Sequence, residues 1–551
     1  MKTAGFLQDD KKLAWIVTGA ALALSLLLKG WLIVGGFLPF NADEAVVALM
    51  GRHILQGARP VFFYGQAYQG SLDAWLAAAG FAVFGEQVWV IRLVQSVLYL
   101  GTLATTAWLG KVIFRRWVVG ALAALLLAIP TVNVTLYTSV SLGGYGEALL
   151  LGNLILLCAF GMTRRDTHAA RAGLWLVWGF LSGLGVWAFG LTLIYTIASG
   201  LYILAWLGRS RGEVGRRAPA WVGLALVGAL LGAAPLWGFA RQHGLALLLQ
   251  ELGGGAIAGV EGAPYLARVG QHTLNLLLLG STAIFGLRPP WGVEWLALPL
   301  LPLVLAFWLA TLAHAARSLR RPGPQRAEKW ALAGVGLVLL AVFVLTPFGA
   351  DPSGRYFVPL AIPLALFAAD GVLGLRPRFG RWVYLAPALI LAANLWGTLQ
   401  SAAAFPPGLT TQFYAPTRID HRYDAELIEF LSAQGETRGY TTYWVAYPLA
   451  FLSQEALIFT PRLPYHLDFR YTPRDDRYAP YRQLVTEAAR TAYITARHPR
   501  LDEHLRARFT ALGIMWQEAA IGDYRVFYRL SRPVQPDELQ IAPLSAAGRG
   551  E

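Results

Sequence analysis

Apolar stretches of about twenty residues recur from residue 13 to residue 399, and each is long enough to cross a bilayer as a helix. Inside a bilayer every backbone N–H and C=O needs an internal partner. Long apolar segments of this kind therefore point to an α-helical polytopic bundle. The charged fraction agrees: it is 14%, against about 25% in soluble domains. The spans read as 13–38, 88–114, 117–137, 145–162, 173–190, 191–208, 220–240, 292–315, 330–348, 356–375 and 382–399, about eleven in all. The fifth and sixth run together and turn at Gly190. The first is too long for the apolar core of a secretory signal and closes on no small-residue cleavage pattern, so it reads as an uncleaved span.

Orientation follows from the basic residues in short loops. Lys11 and Lys12, Arg115 and Arg116, then Arg164, Arg165 and Arg171 fall on one side. The basic runs 209–217, 317–329 and 376–381 fall on that side too, which reads as cytoplasmic. The opposite side takes 40–87, 138–144, 241–291, 349–355 and everything after Gln400. The net charge of +14 is thus a topology signal, and nucleic acid is not expected as a partner. The lone Cys158 excludes an intramolecular disulfide.

Within the loop 241–291, the segment 273–287 is apolar but short, as in a re-entrant or interfacial helix. The stretch 253–264, GGGAIAGVEGAP, offers no periodic face and reads as a lid or a plain linker. The expected division is a transmembrane domain over 1–400, with a first outer loop at 39–87 and the long one at 241–291, and an extracytoplasmic domain over 401–551. From residue 402 the pattern is that of a small α/β domain of about 140 residues. Helices are expected at 424–433, near 446–452 and at 501–512, strands at 439–442 and 456–460, and a hairpin from 514–519 and 524–530 around Gly522–Asp523. This domain reads as a structural cap or an acceptor-docking element.

An ionisable group at mid-bilayer costs several kcal/mol, so where such groups lie reports on function. The predicted span centres read as nearly free of them, and they gather at the outer rim, among them Asp43, Glu44, Asp73, Glu147, Arg268, Arg288, Asp351 and Arg355. A proton-coupled transporter wants carboxylates at the midplane, whereas a site worked from the outer leaflet wants them at the rim. One chemistry suited to that rim is attack on a sugar whose leaving group is a lipid phosphate. The phosphate needs a cation and no proton, so one carboxylate acting as base suffices, unlike the two of glycosidases. Asp43 or Glu44 is the candidate base, at the start of a helix over 45–55 that Asp43 alternatively caps. Arg355, Arg268 or Arg288 is the candidate phosphate ligand, because a guanidinium matches phosphate oxygens bidentately. Glu147 either folds back to the site or simply opens its helix. His53 and His272 read as interfacial. Tyr64, Tyr68 and Trp75 read as an interface belt, with sugar stacking as the second reading.

These residues carry a resemblance. NADEAVVALMGRHILQGARPVFFY after the first span, SLGGYGEALLLGN, and DPSGRYFVPLAIPLAL before a late span resemble the GT-C membrane glycosyltransferases. The branch is the protein O-mannosyltransferase and aminoarabinose-transferase type. The resemblance implies a polyprenyl-phosphate sugar donor, an inverting transfer on the outer face of the cytoplasmic membrane, and the first-loop Asp as base. That role falls on Asp43, with Glu44 beside it. The acceptor, a lipid, glycan or protein hydroxyl, stays open. So does a divalent metal, for which Asp43, Glu44 and Glu147 are the groups at hand. The alternative function is a transporter or flippase of a lipid-linked sugar, which would need paired halves or broken midplane helices. A non-catalytic assembly scaffold is a third.

Overall fold

The computed structural model describes residues 2–164, 167–210, 212–257, 264–406 and 408–541. It divides into two compact units, one of residues 1–35, 68–73 and 92–402, the other of residues 36–67, 74–91 and 403–551. One of the divisions falls between residues 402 and 403. The first outer loop, however, belongs by compactness mainly with the C-terminal region. The reason is burial: the Ala42–Leu55 helix is buried from Glu44 to Ile54, in one apolar cluster with Tyr443–Leu452 and the C-terminal sheet.

The first unit is a helical bundle. Among the described residues nine helical runs are long and apolar enough to cross a membrane, and the last of them, Arg355–Ala402, is 48 residues long. That run contains two predicted spans, as helices Ala361–Phe379 and Leu385–Ala402. The predicted span 117–137 is broken into Trp117–Leu126 and Val132–Tyr137, because Pro130 between them has no N–H to continue the ladder. The predicted span 220–240 divides at Ala233, between Glu213–Gly232 and Ala234–His243. The expected turn at Gly190 is a short 3-10 segment, Gly190–Thr192. Gly179 and Gly183 meet the backbone of Ala225 and Ala229, and Gly228 and Gly232 meet that of Leu176 and Phe180. This small-xxx-small pattern lets two helices without a hydrophobic driving force pack by close contact.

Two readings of the long outer loop change. Residues 253–257 are the last turn of the helix Leu245–Ile257, so the glycine-rich stretch is partly regular, its leucines upstream carrying the helix into it. Residues 258–263 lie outside the described residues. The apolar segment 273–287 falls in a longer helical run, Tyr265–Leu274 followed by a π turn over Asn275–Gly280 and a last turn over Ser281–Ile284.

In the second unit a five-stranded sheet is built from β1 (Arg438–Thr441), β2 (Ile458–Pro461), β3 (Ala492–Ala496), β4 (Gln517–Ile521) and β5 (Tyr524–Tyr528). The spatial order is β2-β1-β3-β5-β4. β1 pairs parallel with β2 and β3, and the register puts Tyr440 beside Tyr493. β5 pairs antiparallel with β3 and β4. Helices Asp424–Gln434, Tyr443–Leu452 and Pro499–Ala511 stand where the sequence pattern puts them. The fully buried β3 and the helix Ala479–Thr486 are additions to the sequence reading. AYITA buries every position, so it shows none of the alternation that flags a half-exposed strand.

Candidate active site

The Ala42–Leu55 helix begins three residues before the expected start. Asn41 is its cap, and its side-chain oxygen accepts from the Glu44 N–H at 3.1 Å. Asp43 is therefore not the cap, and its carboxylate is left for other partners. Two adjacent carboxylates then meet opposite fates. A helix turns about 100° per residue. Glu44 faces inward and is fully buried, while Asp43 stays half-exposed. Both lie in the first turn, where the helix dipole favours negative charge.

The Tyr443 hydroxyl donates to Asp43 Oδ1 at 2.5 Å. Oδ2 has no partner among the described residues. Tyr443 opens the Tyr443–Leu452 helix and carries the Arg477 guanidinium 5.3 Å from its ring centre. Burial, and then the Asp43 charge, hold the Tyr443 phenol well above its usual range, with Arg477 opposing. Tyr443 is therefore a donor to Asp43. The 475–477 turn is fixed from below: the Tyr447 hydroxyl accepts from the Arg477 N–H and donates to the Asp475 carbonyl at 3.0 Å. Asp475 belongs to the same electrostatic cluster. Burial pushes its carboxyl up to about 7, Arg477 opposes and Asp43 adds to the rise.

The far end of the same helix is a lock. Arg52 pairs with Glu86 at 2.6 Å and with Glu455 at 3.6 Å. His53 bridges the Tyr64 hydroxyl at 3.0 Å and Glu455 at 3.1 Å. His53 is thus an interior group and not an interfacial one, because a carboxylate and a phenol satisfy both ring nitrogens. Tyr64 stacks on Tyr478 with ring centres 4.6 Å apart, which places it in the packing of this unit.

In the first unit, Glu147 lies against Asp73. Gln95 Nε2 donates to Asp73 Oδ1 at 2.8 Å and to Glu147 Oε1 at 3.3 Å. Asp73 Oδ2 also accepts from the Ser141 hydroxyl at 2.5 Å and from the Gly143 N–H at 3.2 Å. Lys29 anchors the loop that brings these donors. Its ammonium donates to the Thr138 carbonyl at 2.6 Å and to the Thr138 and Ser139 hydroxyls, each at 2.9 Å. Lys29 corrects the reading of the span interiors as nearly free of charge. It is buried in the first span, which is possible because each of its donors has an oxygen.

Arg355 is set by a tight turn. Asp351 Oδ1 accepts from the Ser353 N–H at 2.8 Å. Gly354 has φ +87°, and a Cβ there would meet Ala283, so the left-handed turn and the close approach both require glycine. Arg355 then pairs with Asp351 at 2.5 Å and lies 5.0 Å from the centre of the Tyr356 ring. Tyr356 and Tyr68 line an apolar cavity of about 380 Å³ whose walls include Phe189, Ile194, Leu339 and Phe343.

The other candidates divide. Arg288 is corrected: it donates to the carbonyls of Leu279, Pro289, Gly292 and Pro352 and to the Thr282 hydroxyl. With its whole fork committed to the backbone it ties turns together and has no face left for a phosphate. Arg268 stands on the Tyr265–Leu274 helix, 5.9 Å from the Tyr265 ring centre. His272 is buried and hydrogen-bonds the Val344 carbonyl at 2.9 Å, so it is not interfacial. Among the described residues no group of three or more His, Cys, Asp or Glu side chains could hold one metal ion. Tyr443, Asp475 and Arg477 were not reached from the sequence. The signal available was the TPRDDRY segment, two acids between basic residues in a tail otherwise read as a cap.

No protein-family model matches the sequence, and no curated protein matches it. Solved structures do. The chain is similar to ArnT from Cupriavidus metallidurans bound to undecaprenyl phosphate, with a TM-score of 0.55 at 14% identity, covering 95% of this chain and 98% of that one. It is also similar to the Archaeoglobus fulgidus oligosaccharyltransferase in the apo form, with a TM-score of 0.51 at 15% identity, covering 88% of this chain and 69% of that one. The chain thus shares the fold of these two solved membrane proteins along most of its length, in keeping with the helical membrane bundle expected from the sequence.

Proposed function

We propose that the chain is an integral membrane glycosyltransferase that moves a sugar from a polyprenyl-phosphate donor to a hydroxyl of a lipid, glycan or protein acceptor, with inversion, on the outer face of the cytoplasmic membrane. The observation that carries this reading is the apolar cavity edged by Tyr68 and Tyr356, with Arg355 over the Tyr356 ring. A greasy slot with a cation at its edge suits a prenyl chain ending in a phosphate. The GT-C fold supports it, since one structure of that fold holds undecaprenyl phosphate.

In this account the acceptor oxygen attacks the anomeric carbon from the face opposite the phosphate. The new C–O bond forms as the old one breaks, and its electron pair leaves on the phosphate oxygen. Arg355 holds the charge that develops there. Asp43 Oδ2 takes the acceptor's proton while Tyr443 holds Oδ1. Tyr68 and Arg268 contribute to donor binding. Glu44 and Glu147 act at one remove, as buried groups that shape their helices. The basic loops face the cytoplasm and the C-terminal domain faces outward, so an export-dependent reporter fused after Glu551 is active and one fused within 317–326 is silent.

The test is direct. Purified protein in lipid is given undecaprenyl-phosphate-linked sugars, and released undecaprenyl phosphate is measured with and without acceptor. Acceptor-dependent release that disappears in Asp43→Asn supports the reading. Movement of intact donor across the bilayer without release would replace it with lipid transport.

A further inference from the structure

At the opposite end of the first unit's bundle lies a second and larger cavity, a groove of about 830 Å³ between the helices Leu301–Arg320, Ala361–Phe379 and Leu385–Ala402. Asp370 lines it, fifteen residues beyond Arg355 in the same helical run, which is about 22 Å at 1.5 Å per residue. The groove therefore opens at the membrane face that carries the basic loops, and it is separate from the Arg355 cavity. Nothing in the proposed transfer uses it.

Its two ends differ in chemistry. The mouth is cationic, with Arg317, Arg321, Arg326 and Lys329. Lys329 donates to the Ser318 hydroxyl at 2.9 Å, and Arg326 to the Leu319 carbonyl at 3.1 Å. Arg317 and Arg321 are exposed, and their guanidinium groups have no hydrogen-bond or ion-pair partner among the described residues. One carboxylate, Asp370, faces this mouth, and His314 holds it at 2.9 Å. Gly371 makes room for that contact, since a Cβ there would lie 3.2 Å from the His314 ring. The mouth keeps a strong positive excess. Deeper in, the lining turns apolar through Phe307, Leu303 and Leu389. From Arg317 up to Leu303 the helix rises about 21 Å, more than one leaflet's half of the roughly 30 Å hydrocarbon core.

A cationic mouth on a groove of acyl length matches one class of molecule. We propose that this groove binds a phosphate-bearing anionic lipid, with the headgroup phosphate on Arg317 and Arg321 and an acyl chain against Phe307 and Leu303. Arginine suits the role because its planar fork meets phosphate oxygens two at a time. The headgroup rather than the chain sets selectivity, so a neutral lipid of equal length binds less well.

The experiment uses the full-length purified protein. Phosphatidylglycerol retention is measured by native mass spectrometry after incubation with phosphatidylcholine vesicles with and without phosphatidylglycerol, and thermal shift is read with inorganic phosphate alone. Arg317→Gln with Arg321→Gln lies on the exposed surface and should leave folding intact. At about one kcal/mol per basic residue near a phosphate surface, the double variant binds phosphatidylglycerol about thirtyfold more weakly. Arg378→Gln with Arg381→Gln, basic residues of the same face that do not line the groove, retains it. Leu389→Trp, which fills the apolar part, lowers lipid retention and leaves any response to inorganic phosphate unchanged. A response to inorganic phosphate that equals the lipid's and is lost in the Arg317/Arg321 variant would place a free phosphate at the same cations. Equal retention in wild type and the Arg317/Arg321 variant, or an equal loss in the Arg378/Arg381 variant, overturns the proposal.

Discussion

Two carboxylate clusters stand in the segments read as outer loops and rims, and they are built differently. The Asp73–Glu147 cluster is buried, with both Asp73 oxygens engaged and Glu147 Oε2 shut away from solvent without a partner among the described residues. Gln95, Ser141 and Gly143 all donate into it, and Lys29 pins the loop that supplies two of those donors. Among the described residues Asp43 has one side-chain hydrogen bond, from Tyr443, and its half-buried carboxylate keeps a second oxygen without a partner. A carboxylate that must take a proton from a substrate needs a lone pair that the protein leaves unused and that solvent can reach. Asp43 meets both conditions. A carboxylate whose oxygens are already engaged holds chain segments together instead. Position along the sequence puts both clusters at helix starts near the outer side. Only burial and donor count separate them.

The largest expected effect tests that separation. Asp43→Asn keeps the shape and the Tyr443 contact but removes the proton acceptor, so turnover falls about 10²–10⁴-fold while folding and donor binding persist. Tyr443→Phe removes only the group that orients the carboxylate, and its loss is about tenfold, in line with one ordinary hydrogen bond. Asp73→Ala strips three donors of their acceptor and destabilises the first unit by about 1–3 kcal/mol, with little change in turnover per folded molecule. Thermal midpoint and single-turnover rate, measured on the same preparations, separate the two clusters. An Asp73→Ala protein that folds with the wild-type midpoint and loses turnover as Asp43→Asn does would reverse the assignment.

A smaller contrast holds between two arginines. Arg355 pairs with one carboxylate and lies over one ring, and Arg288 is tied to four carbonyls and a hydroxyl. Arg355→Ala raises the donor KM at least tenfold, and Arg355→Lys recovers part of it, because a point charge lacks the fork. Arg288→Lys leaves the donor KM unchanged and lowers the thermal midpoint, since an ammonium reaches fewer of those carbonyls. A matched rise in KM in both variants would mean that the 279–292 turns, and not Arg355 itself, set donor affinity.

Much of this was legible in the sequence. Apolar run length gave the bundle, since a bilayer leaves few options for backbone polar groups. Gly522–Asp523 and the alternation around it gave the last hairpin. DE at residues 43 and 44 gave a candidate base. What could not be read was which of the two acids points outward, because that depends on where the helix starts, and Asn41 sets the start two residues before Asp43. Partners distant along the chain were equally hidden. Tyr443 is four hundred positions from Asp43, and no spacing rule links them. Arg288 looked like a phosphate ligand by type and place, and the carbonyls that occupy it come from turns no periodicity predicts. Lys29 was visible as a letter in the first span, but its fitness there depends on Thr138 and Ser139.

The smallest expected effect is a pH dependence within the second unit, where two carboxyls shift in opposite directions. The Asp475 carboxyl is raised from 3.8 to about 7 by burial, against Arg477 and with Asp43. Between about pH 4 and 7 the unfolded chain has lost this proton and the folded one keeps it. Unfolding then releases a proton, so Asp475 makes stability fall as pH rises through that window and level off above it. Glu455 is also penalised by burial, but hydrogen bonds from His53 and Tyr481 and the charges of His53 and Arg52 prevail, and its carboxyl drops from 4.5 to about 2. Its contribution is present above pH 4.5 and is lost as pH falls from there toward 2. Asp475→Asn should flatten the slope between pH 4 and 7 and leave the acid limb in place, whereas Glu455→Gln should blunt the acid limb alone. Asp43→Asn removes a negative neighbour, so the Asp475 window moves to lower pH in that variant. Chemical-denaturation midpoints across pH, read on the full-length protein with tryptophan fluorescence, measure all three. A slope between pH 4 and 7 that is identical in wild type and Asp475→Asn would detach Asp475 from the Asp43 cluster and leave Tyr443 as the residue that tunes the base.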